Sequence, residues 1–313
     1  MKLAMPIHGY AFRLSVAHAH YEKLATGKGI NIARMSGKTS FDTLLVSVPR
    51  EYVYQVTLNR PDKLNALNKV MWREIGECFN QLNEDEDCRA IVLSGSGKLF
   101  TAGIDLHDVM EMAPLLAEQE DVARKAKILY KFIVSYQNAL SALERCRKPV
   151  LAAVHSACVG AGVDMVTAAD MRYCTKDAWF QVKEVDIGMA ADVGTLQRLP
   201  KVIGSDSLVR ELCYTARKMH ADEALASGLV SRVFENREKM IEEVLHIAES
   251  IAKKSPVAVQ TTKVSLVYSR DHSVQESLDH IATLNQTMLQ SEDFAQATMG
   301  QVSKDPNVKF SKL

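Results

Sequence analysis

Alternating hydrophobic and polar runs predict a β-hairpin, a helix and a buried strand at the start of the regular pattern. The β-rich runs at 42–48 and 52–58 are separated only by a Pro-Arg-Glu turn, which is typical of a hairpin. Apolar residues then recur at helical spacing over 68–83, where Asn68 is a suitable N-cap. The apolar run at 89–95 ends in glycine and predicts a compact buried strand.

The same alternation continues through the middle of the chain. A charged amphipathic pattern predicts a helix from about Leu116 to Arg147. The segment 149–162 reads as a strand followed by a turn, and 163–170 reads as the next helix. Strands and helices in alternation favour right-handed crossovers and a parallel sheet, so the fold class is α/β.

From about Asp222 the pattern becomes almost wholly helical and remains so to Met299. We therefore expect three parts in this chain. A leader covers 1–40, an α/β core covers 41–221, and a helical C-terminal region covers 222–313.

Composition excludes several classes of protein. The 313 residues are 47% hydrophobic and 24% charged, and 38 basic side chains balance 38 acidic ones. This zero formal charge argues against a nucleic-acid partner bound by bulk electrostatics. The six cysteines form no CxxC pair and no zinc-type cluster with histidine, so no metal is predicted and the compartment is reducing. No apolar run reaches about 18 residues, so no membrane span is predicted.

The two ends of the chain resemble targeting signals and suggest a subcellular location. Residues 1–38 contain six basic side chains against the single acid Glu22, which is compatible with a mitochondrial transit peptide or with a disordered leader. The last three residues are Ser311-Lys312-Leu313, which match the C-terminal targeting signal that a peroxisomal import receptor binds. The prediction is a peroxisomal protein, with the mitochondrion as a second location.

Two glycine-bearing turns are candidate binding elements. KLFTAGIDL (98–106) and HSACVGAGVDM (155–165) each follow a strand, and their small residues allow backbone N–H groups to face a common space. The second turn leads into a helix, whose N-terminus adds positive potential. Two such N–H groups on one oxygen would form an oxyanion hole. The alternative is that both are packing turns without a ligand.

Three acids stand near these turns in apolar surroundings. Asp164 is on the first turn of the helix after the second glycine turn, while Glu184 and Asp192 flank an apolar segment. Each acid alone is more often a cap or a salt-bridge partner, and Asp192 in particular could be the N-cap of the helix over 193–200. Together they suggest general acid–base chemistry at a polarised carbonyl.

Several ordered blocks resemble the crotonase, or enoyl-CoA hydratase/isomerase, superfamily from about residue 41 to the C-terminus. The blocks are NRPDKLNAL (59–67), FTAGIDL (100–106), VGAGVDM (159–165), GTLQRLP (194–200) and ADEALASGLVSRV (221–233). The resemblance implies a crotonase-like spiral of ββα units with a helical trimerisation region. It also implies acyl-CoA thioester substrates, with coenzyme A as part of the substrate rather than a cofactor, and a homotrimer or homohexamer.

The resemblance assigns site residues by motif. The thioester oxygen is expected to accept from the backbone N–H groups of Ile104 and Ala161, although the family usually has glycine at the second position. Further substrate-binding residues are expected in the two turns and at the CoA phosphates. These are Ala102, Gly103, Gly160, Gly162, Lys98 and Lys63.

The acids then select the reaction. A hydratase-like pattern would have glutamates at 164 and 184 and glycine at 192, whereas this chain has Asp164, Glu184 and Asp192. This set resembles the family members that isomerise 3,5-dienoyl-CoA to 2,4-dienoyl-CoA in the β-oxidation of unsaturated fatty acids. The alternatives are a trans-2-enoyl-CoA hydratase and a non-catalytic scaffold or RNA-binding protein of the same fold.

The chemistry of this isomerisation fits a pair of carboxylates. The reaction removes a proton from C2 and adds one at C6, and these carbons are too far apart for one short side chain to serve both easily. We expect Glu184 to be the C2 base and Asp192 to be the C6 acid, with Asp164 tuning or orienting the pair. Apolar surroundings raise a carboxyl pKa and keep one acid available as a proton donor.

Overall fold

The computed structural model describes residues 40–305 and 308–313, so the predicted leader lies outside the described residues except for its last position. The strands of this part of the chain are β1 (Leu44–Arg50), β2 (Val53–Leu58), β3 (Ala90–Gly95), β4 (Val150–Val154), β5 (Ala157–Val159), β6 (Met171–Thr175), β7 (Trp179–Gln181), β8 (Met219–His220) and β9 (Arg232–Phe234).

Helices fill most of the remaining described residues. They are α1 (Lys69–Glu84), α2 (Leu106–Met110), α3 (Met112–Ala117), α4 (Val122–Arg145), α5 (Ala161–Ala168), α6 (Thr195–Val202), α7 (Asp206–Thr215), α8 (Ala221–Ala226), α9 (Arg237–Ala252), α10 (Pro256–Ser269), α11 (Val274–Met288) and α12 (Glu292–Ser303). Two short 3₁₀ segments cover Pro61–Lys63 and Glu184–Ile187.

The main sheet has six strands in the order β1-β2-β3-β4-β6-β9. Strands β1 and β2 form the predicted antiparallel hairpin, and Tyr52 in its turn has a positive φ of 61°. All other neighbours in this sheet are parallel. The α/β class and the parallel sheet are therefore confirmed. A smaller sheet, β5-β7-β8, places the second glycine turn beside the first.

Apolar side chains cover both faces of the main sheet. On one face, α1 and α4 contribute Ile75, Phe79 and Leu140 to the larger core cluster. On the other face, Met240 and Val244 of α9 pack against the strands. Helix α1 begins where the sequence predicts, because the Asn68 side chain accepts a hydrogen bond from the Met71 N–H. The sheet is thus held rigidly between helices, and its strand ends can position a site.

Two elements differ from the sequence prediction. The helix expected from Leu116 to Arg147 begins later, at Val122, because the Asp121 side chain accepts from the Arg124 N–H and caps it there. The segment expected to be almost wholly helical after Asp222 includes strand β9, which pairs in parallel with β6. A strand of three residues is too short to show a period-two pattern, so this edge strand was missed.

The last residues of the chain lie against the body of the protein. The Arg89 guanidinium is buried, stacks over the Tyr52 ring at 4.0 Å and donates to the carbonyls of Phe310 and Ser311 at 2.8 and 3.1 Å. Lys312 pairs with Asp87 at 2.5 Å. No helix of the described residues is long and apolar enough to span a bilayer.

Candidate active site

The two glycine-bearing turns lie side by side in the structure. A parallel bridge links Thr101 to Cys158: the Thr101 N–H donates to the Ala157 carbonyl at 3.1 Å, and the Val159 N–H donates to the Thr101 carbonyl at 3.2 Å. Residues far apart in the sequence are thereby fixed in one register. The two turns form a single backbone platform rather than two separate loops.

Glycine is required at two points of this platform. Gly103 has a φ of +91°, and a Cβ there would lie 2.8 Å from the Val159 carbonyl oxygen. Gly160 has a φ of +52°, and its Cβ would lie 3.2 Å from a Glu184 carboxylate oxygen. Both positions have a positive φ that favours glycine, and at Gly103 the approach of the Val159 carbonyl also leaves no room for a side chain. The glycines therefore let the turns and the Glu184 carboxylate come together.

Two backbone N–H groups of the platform have no acceptor among the described residues. The Leu67 N–H donates to the Gly103 carbonyl and the Asp105 N–H donates to the Leu67 carbonyl, which leaves the Ile104 N–H between them without a partner. Ala161 is the first residue of α5, so its N–H is also unbonded. The φ of Ala161 is not positive, so alanine replaces the usual glycine without backbone strain.

Both residues line an apolar cavity of about 280 Å³. The platform, α4 and the 3₁₀ segment at Glu184 form its walls. The cavity residues are Trp72, Ala102, Gly103, Ile104, Leu106, Val109, Leu129, Phe132, Ile133, Tyr136, Val159, Gly160, Ala161, Lys183, Glu184, Ile187, Met189, Asp192 and Val193. We refer to it below as the acyl cavity.

The three predicted acids occupy different positions around the acyl cavity. Glu184 and Asp192 line it, whereas Asp164 is fully buried and does not. One Asp164 oxygen accepts from the Thr195 N–H at 2.5 Å, at the first residue of α6. The Asp164 carboxylate, which belongs to α5, therefore accepts a hydrogen bond from the N-terminus of α6. The alternative of Asp192 as its N-cap is wrong, because Gly194 occupies that position with a φ of +139°.

Burial shifts all three acids toward their neutral forms. Burial, together with the nearby Asp164 and Asp192 charges, raises the pKa of Glu184 to about 7. Burial likewise raises the pKa of Asp164 to about 6, against the Thr195 hydrogen bond that favours the anion. The pKa of Asp192 is also raised by burial. Carboxyls that are partly protonated near neutral pH can act as both bases and acids.

The enoyl-CoA hydratase/isomerase family model matches residues 50–307, which is most of the chain. The chain belongs to this family. The crystal structure of a putative enoyl-CoA hydratase from Streptomyces coelicolor A3(2) superposes on this chain with a TM-score of 0.78 at 26% identity. The superposition covers 88% of this chain and 97% of that chain, so the crotonase fold predicted from the sequence is confirmed.

Two relatives resemble the chain more closely in sequence. The mitochondrial Δ3,5-Δ2,4-dienoyl-CoA isomerase of Homo sapiens is 57% identical over 276 residues, 88% of this chain and 84% of that protein. The peroxisomal Δ3,5-Δ2,4-dienoyl-CoA isomerase of Arabidopsis thaliana is 43% identical over 261 residues, 83% of this chain and 93% of that protein. The similarity extends over most of each relative.

The remaining residues that the family resemblance predicted lie around the platform. Ala102 lines the acyl cavity with its neighbours, whereas Gly162 does not; a Cβ at Gly162 would lie 2.5 Å from the Thr101 side chain. Lys63 and Lys98 are exposed and do not line the cavity. The two lysines belong to neighbouring turns. This is shown by Gly97, next to Lys98, where an added Cβ would lie 2.7 Å from the side chain of Pro61, two residues before Lys63.

Sequence reasoning missed the aromatic wall of this crotonase-family cavity. Trp72 of α1 and Tyr136 of α4 stack with their ring centroids 4.5 Å apart, and both line the cavity. Each aromatic residue fits the apolar face of its own helix, so the sequence pattern does not distinguish it from a core residue. Among the described residues no group of three or more His, Cys, Asp or Glu side chains could hold a metal ion.

The raised pKa of Glu184 predicts a pH-dependent gain in stability for Glu184→Gln. The pKa of this carboxyl is higher in the folded than in the unfolded chain, so its protonated form stabilises the folded protein at low pH. This contribution to the free energy of unfolding is lost as pH rises from about 4.5 to about 7. We expect the variant to melt at a higher temperature than the wild type at pH 8, and at the same temperature near pH 4. Thermal unfolding followed by circular dichroism measures both.

Glu242→Gln provides the matched control, because Glu242 is exposed on α9. This control should melt with the wild type at both pH values. A Glu184→Gln protein that melts no higher than the wild type at pH 8 would show that the buried carboxylate is not destabilising.

Proposed function

We propose that this chain is a Δ3,5-Δ2,4-dienoyl-CoA isomerase that converts 3,5-dienoyl-CoA to 2,4-dienoyl-CoA in the β-oxidation of unsaturated fatty acids. The observation that carries the proposal is the position of Asp192. It lines the same apolar cavity as Glu184 and as Ile104 and Ala161, whose N–H groups are unbonded. The 57% identity to the human enzyme of that name supports the same reaction.

The proposed reaction begins with the thioester oxygen accepting from the Ile104 and Ala161 N–H groups. These donors stabilise the negative charge that develops on the oxygen when Glu184 removes the C2 proton. The charge is delocalised along the dienolate, and Asp192 donates a proton to C6. Asp164 touches no substrate in this scheme; its negative charge raises the pKa of Glu184, and its bond to Thr195 fixes the start of α6.

The CoA portion of the substrate is expected to lie outside the acyl cavity. We assign its phosphates to Lys63 and Lys98, whose exposed positions on neighbouring turns support this. Ala102, Gly103, Gly160 and Gly162 shape the backbone that faces the thioester. Coenzyme A belongs to the substrate in this proposal, and no separate cofactor is assigned.

The function is tested by Asp192→Asn in two assays on the same preparation. Conversion of 3,5-dienoyl-CoA, followed through the absorbance of the conjugated product, should fall by about 10²–10⁴-fold, because asparagine cannot donate the C6 proton. Wild-type protein should hydrate crotonyl-CoA poorly in comparison. Full isomerase activity in the variant would exclude Asp192 as the acid.

The same two assays separate the alternatives. A trans-2-enoyl-CoA hydratase would hydrate crotonyl-CoA efficiently and leave 3,5-dienoyl-CoA unchanged. A non-catalytic scaffold or RNA-binding protein of the crotonase fold would do neither. The three acids and the cavity in this structure favour an enzyme over a non-catalytic scaffold or an RNA-binding protein.

We also propose that the enzyme works in peroxisomes, with mitochondria as a second location. The named relatives divide between the two compartments, since the human protein is mitochondrial and the Arabidopsis protein peroxisomal. Ser311-Lys312-Leu313 would be the segment that an import receptor binds.

A homotrimer or homohexamer is proposed as the working assembly. Helices α10 to α12 support it, because they expose large apolar side chains that a partner subunit would cover. The most exposed of these are Leu266, Val274, Leu278, Met299 and Val302.

A further inference from the structure

Asp192 lies between two cavities. Besides the acyl cavity, Asp192 and Val193 also line a separate cavity of about 570 Å³. We refer to the latter as the polar cavity. Glu184 lines the acyl cavity but not the polar cavity. Of the two proposed proton carriers, only Asp192 therefore borders both of these cavities.

The walls of the polar cavity are charged and fixed. Glu144 accepts from Arg198 at 3.1 and 3.2 Å and also from Arg270, and the Ser141 hydroxyl accepts from Arg198 at 2.9 Å. These ion pairs join α4, α6 and the end of α10. A cavity with polar walls and this volume is suited to hold water, whereas the acyl cavity is lined mainly by apolar side chains.

The carboxylates differ in how they are enclosed. One oxygen of Glu184 and one of Asp164 are buried without any hydrogen-bond partner. Neither oxygen of Asp192 is enclosed in this way. The enclosed oxygen of Glu184 has no polar neighbour to pass a proton to, whereas Asp192 borders a second cavity besides the acyl cavity.

We infer that Asp192 exchanges protons with water in the polar cavity while the dienoyl chain still occupies the acyl cavity. This inference rests on the proposed function. In the forward reaction the Asp192 O–H bond breaks as the C6–H bond forms, and the carboxylate then takes a proton from water in the polar cavity. Glu184 carries the C2 proton until the product leaves and then releases it to solvent, so the enzyme returns to its starting charge.

The test follows hydrogen exchange in the reverse direction. The wild-type enzyme is incubated with 2,4-dienoyl-CoA in deuterated water, and two initial rates are compared. The first is the appearance of deuterium at C6, measured by NMR and mass spectrometry. The second is the formation of 3,5-dienoyl-CoA, measured by loss of absorbance. C6 labelling should be several-fold faster, because a hydrogen taken from C6 exchanges through the polar cavity before it is returned.

A matched pair of variants tests the route itself. Gln197 is exposed on α6 and lines the polar cavity, so Gln197→Trp narrows it without touching the acyl cavity. Its neighbour Leu196 is also exposed and lines neither cavity. Gln197→Trp should reduce the ratio of the two rates toward equality, whereas Leu196→Trp should keep the wild-type ratio.

Two results would overturn the proton route. In the first, the wild-type enzyme labels C6 no faster than it forms 3,5-dienoyl-CoA. The Asp192 proton would then exchange with water only after the thioester has left the enzyme. In the second, Gln197→Trp retains the wild-type ratio. A protein that does not interconvert the two dienoyl thioesters at all would instead overturn the proposed function, so the two failures are distinguishable.

Discussion

Replacing Glu184 by glutamine is expected to reduce the rate of dienoyl-CoA isomerisation by about 10²–10⁴-fold, because the amide cannot accept the C2 proton. The loss should appear in kcat, with KM little changed, since glutamine keeps the shape of the side chain in the cavity. Initial rates on 3,5-dienoyl-CoA over a range of substrate concentrations measure both constants.

The pH profile of the wild type checks the same assignment. Burial raises the pKa of Glu184 to about 7, and a base must be unprotonated to act, so kcat/KM should fall as pH decreases below about 7. The exposed control variant Glu242→Gln should keep the wild-type rate and profile. A Glu184→Gln enzyme within a few-fold of the wild type would show that another group removes the C2 proton.

Gly103→Ala is expected to reduce kcat by about 10²–10³-fold, the cost of losing one oxyanion donor. The alanine Cβ would lie 2.8 Å from the Val159 carbonyl oxygen at a φ of +91°. Because the Cβ is fixed on its own Cα and the oxygen belongs to backbone, neither atom can rotate away, and one turn must move away from the other. The N–H groups of Ile104 and Ala161 would then no longer meet at one oxygen.

Gly228→Ala separates this local effect from general backbone strain. Gly228 has a φ of +82°, but the nearest atom to its added Cβ is 3.9 Å away, and the residue lies outside the acyl cavity. Both variants should lose thermal stability, and only Gly103→Ala should lose kcat to this extent. Equal losses of kcat in the two variants would contradict an oxyanion hole at the platform.

Most of the fold follows from patterns within short windows of sequence. The hairpin, the helix capped by Asn68 and the buried strand at 90–95 all appear where hydrophobic periodicity and turn residues predict them. The differences are also local in origin. The Asp121 cap sets the start of α4, and β9 is too short to produce a pattern.

The site was less accessible to sequence reasoning. Glycine turns and acids in apolar surroundings identified the candidate residues, and the family resemblance gave them roles. The local pattern alone did not distinguish Asp192 as a helix cap from Asp192 as a cavity acid, and only the family resemblance favoured the second. The stacked pair Trp72 and Tyr136 likewise gave no signal apart from core packing.

The sequence by itself determined the α/β class, the family, and the residue types that make this an isomerase candidate rather than a hydratase. Those properties depend on residue identity and on spacing along the chain. The tertiary structure decided that Thr101 pairs with Cys158, that Asp164 bonds the start of α6, and that Asp192 borders two cavities. Each of these depends on contacts between segments distant in the sequence, which are fixed only when the sheets and helices pack together.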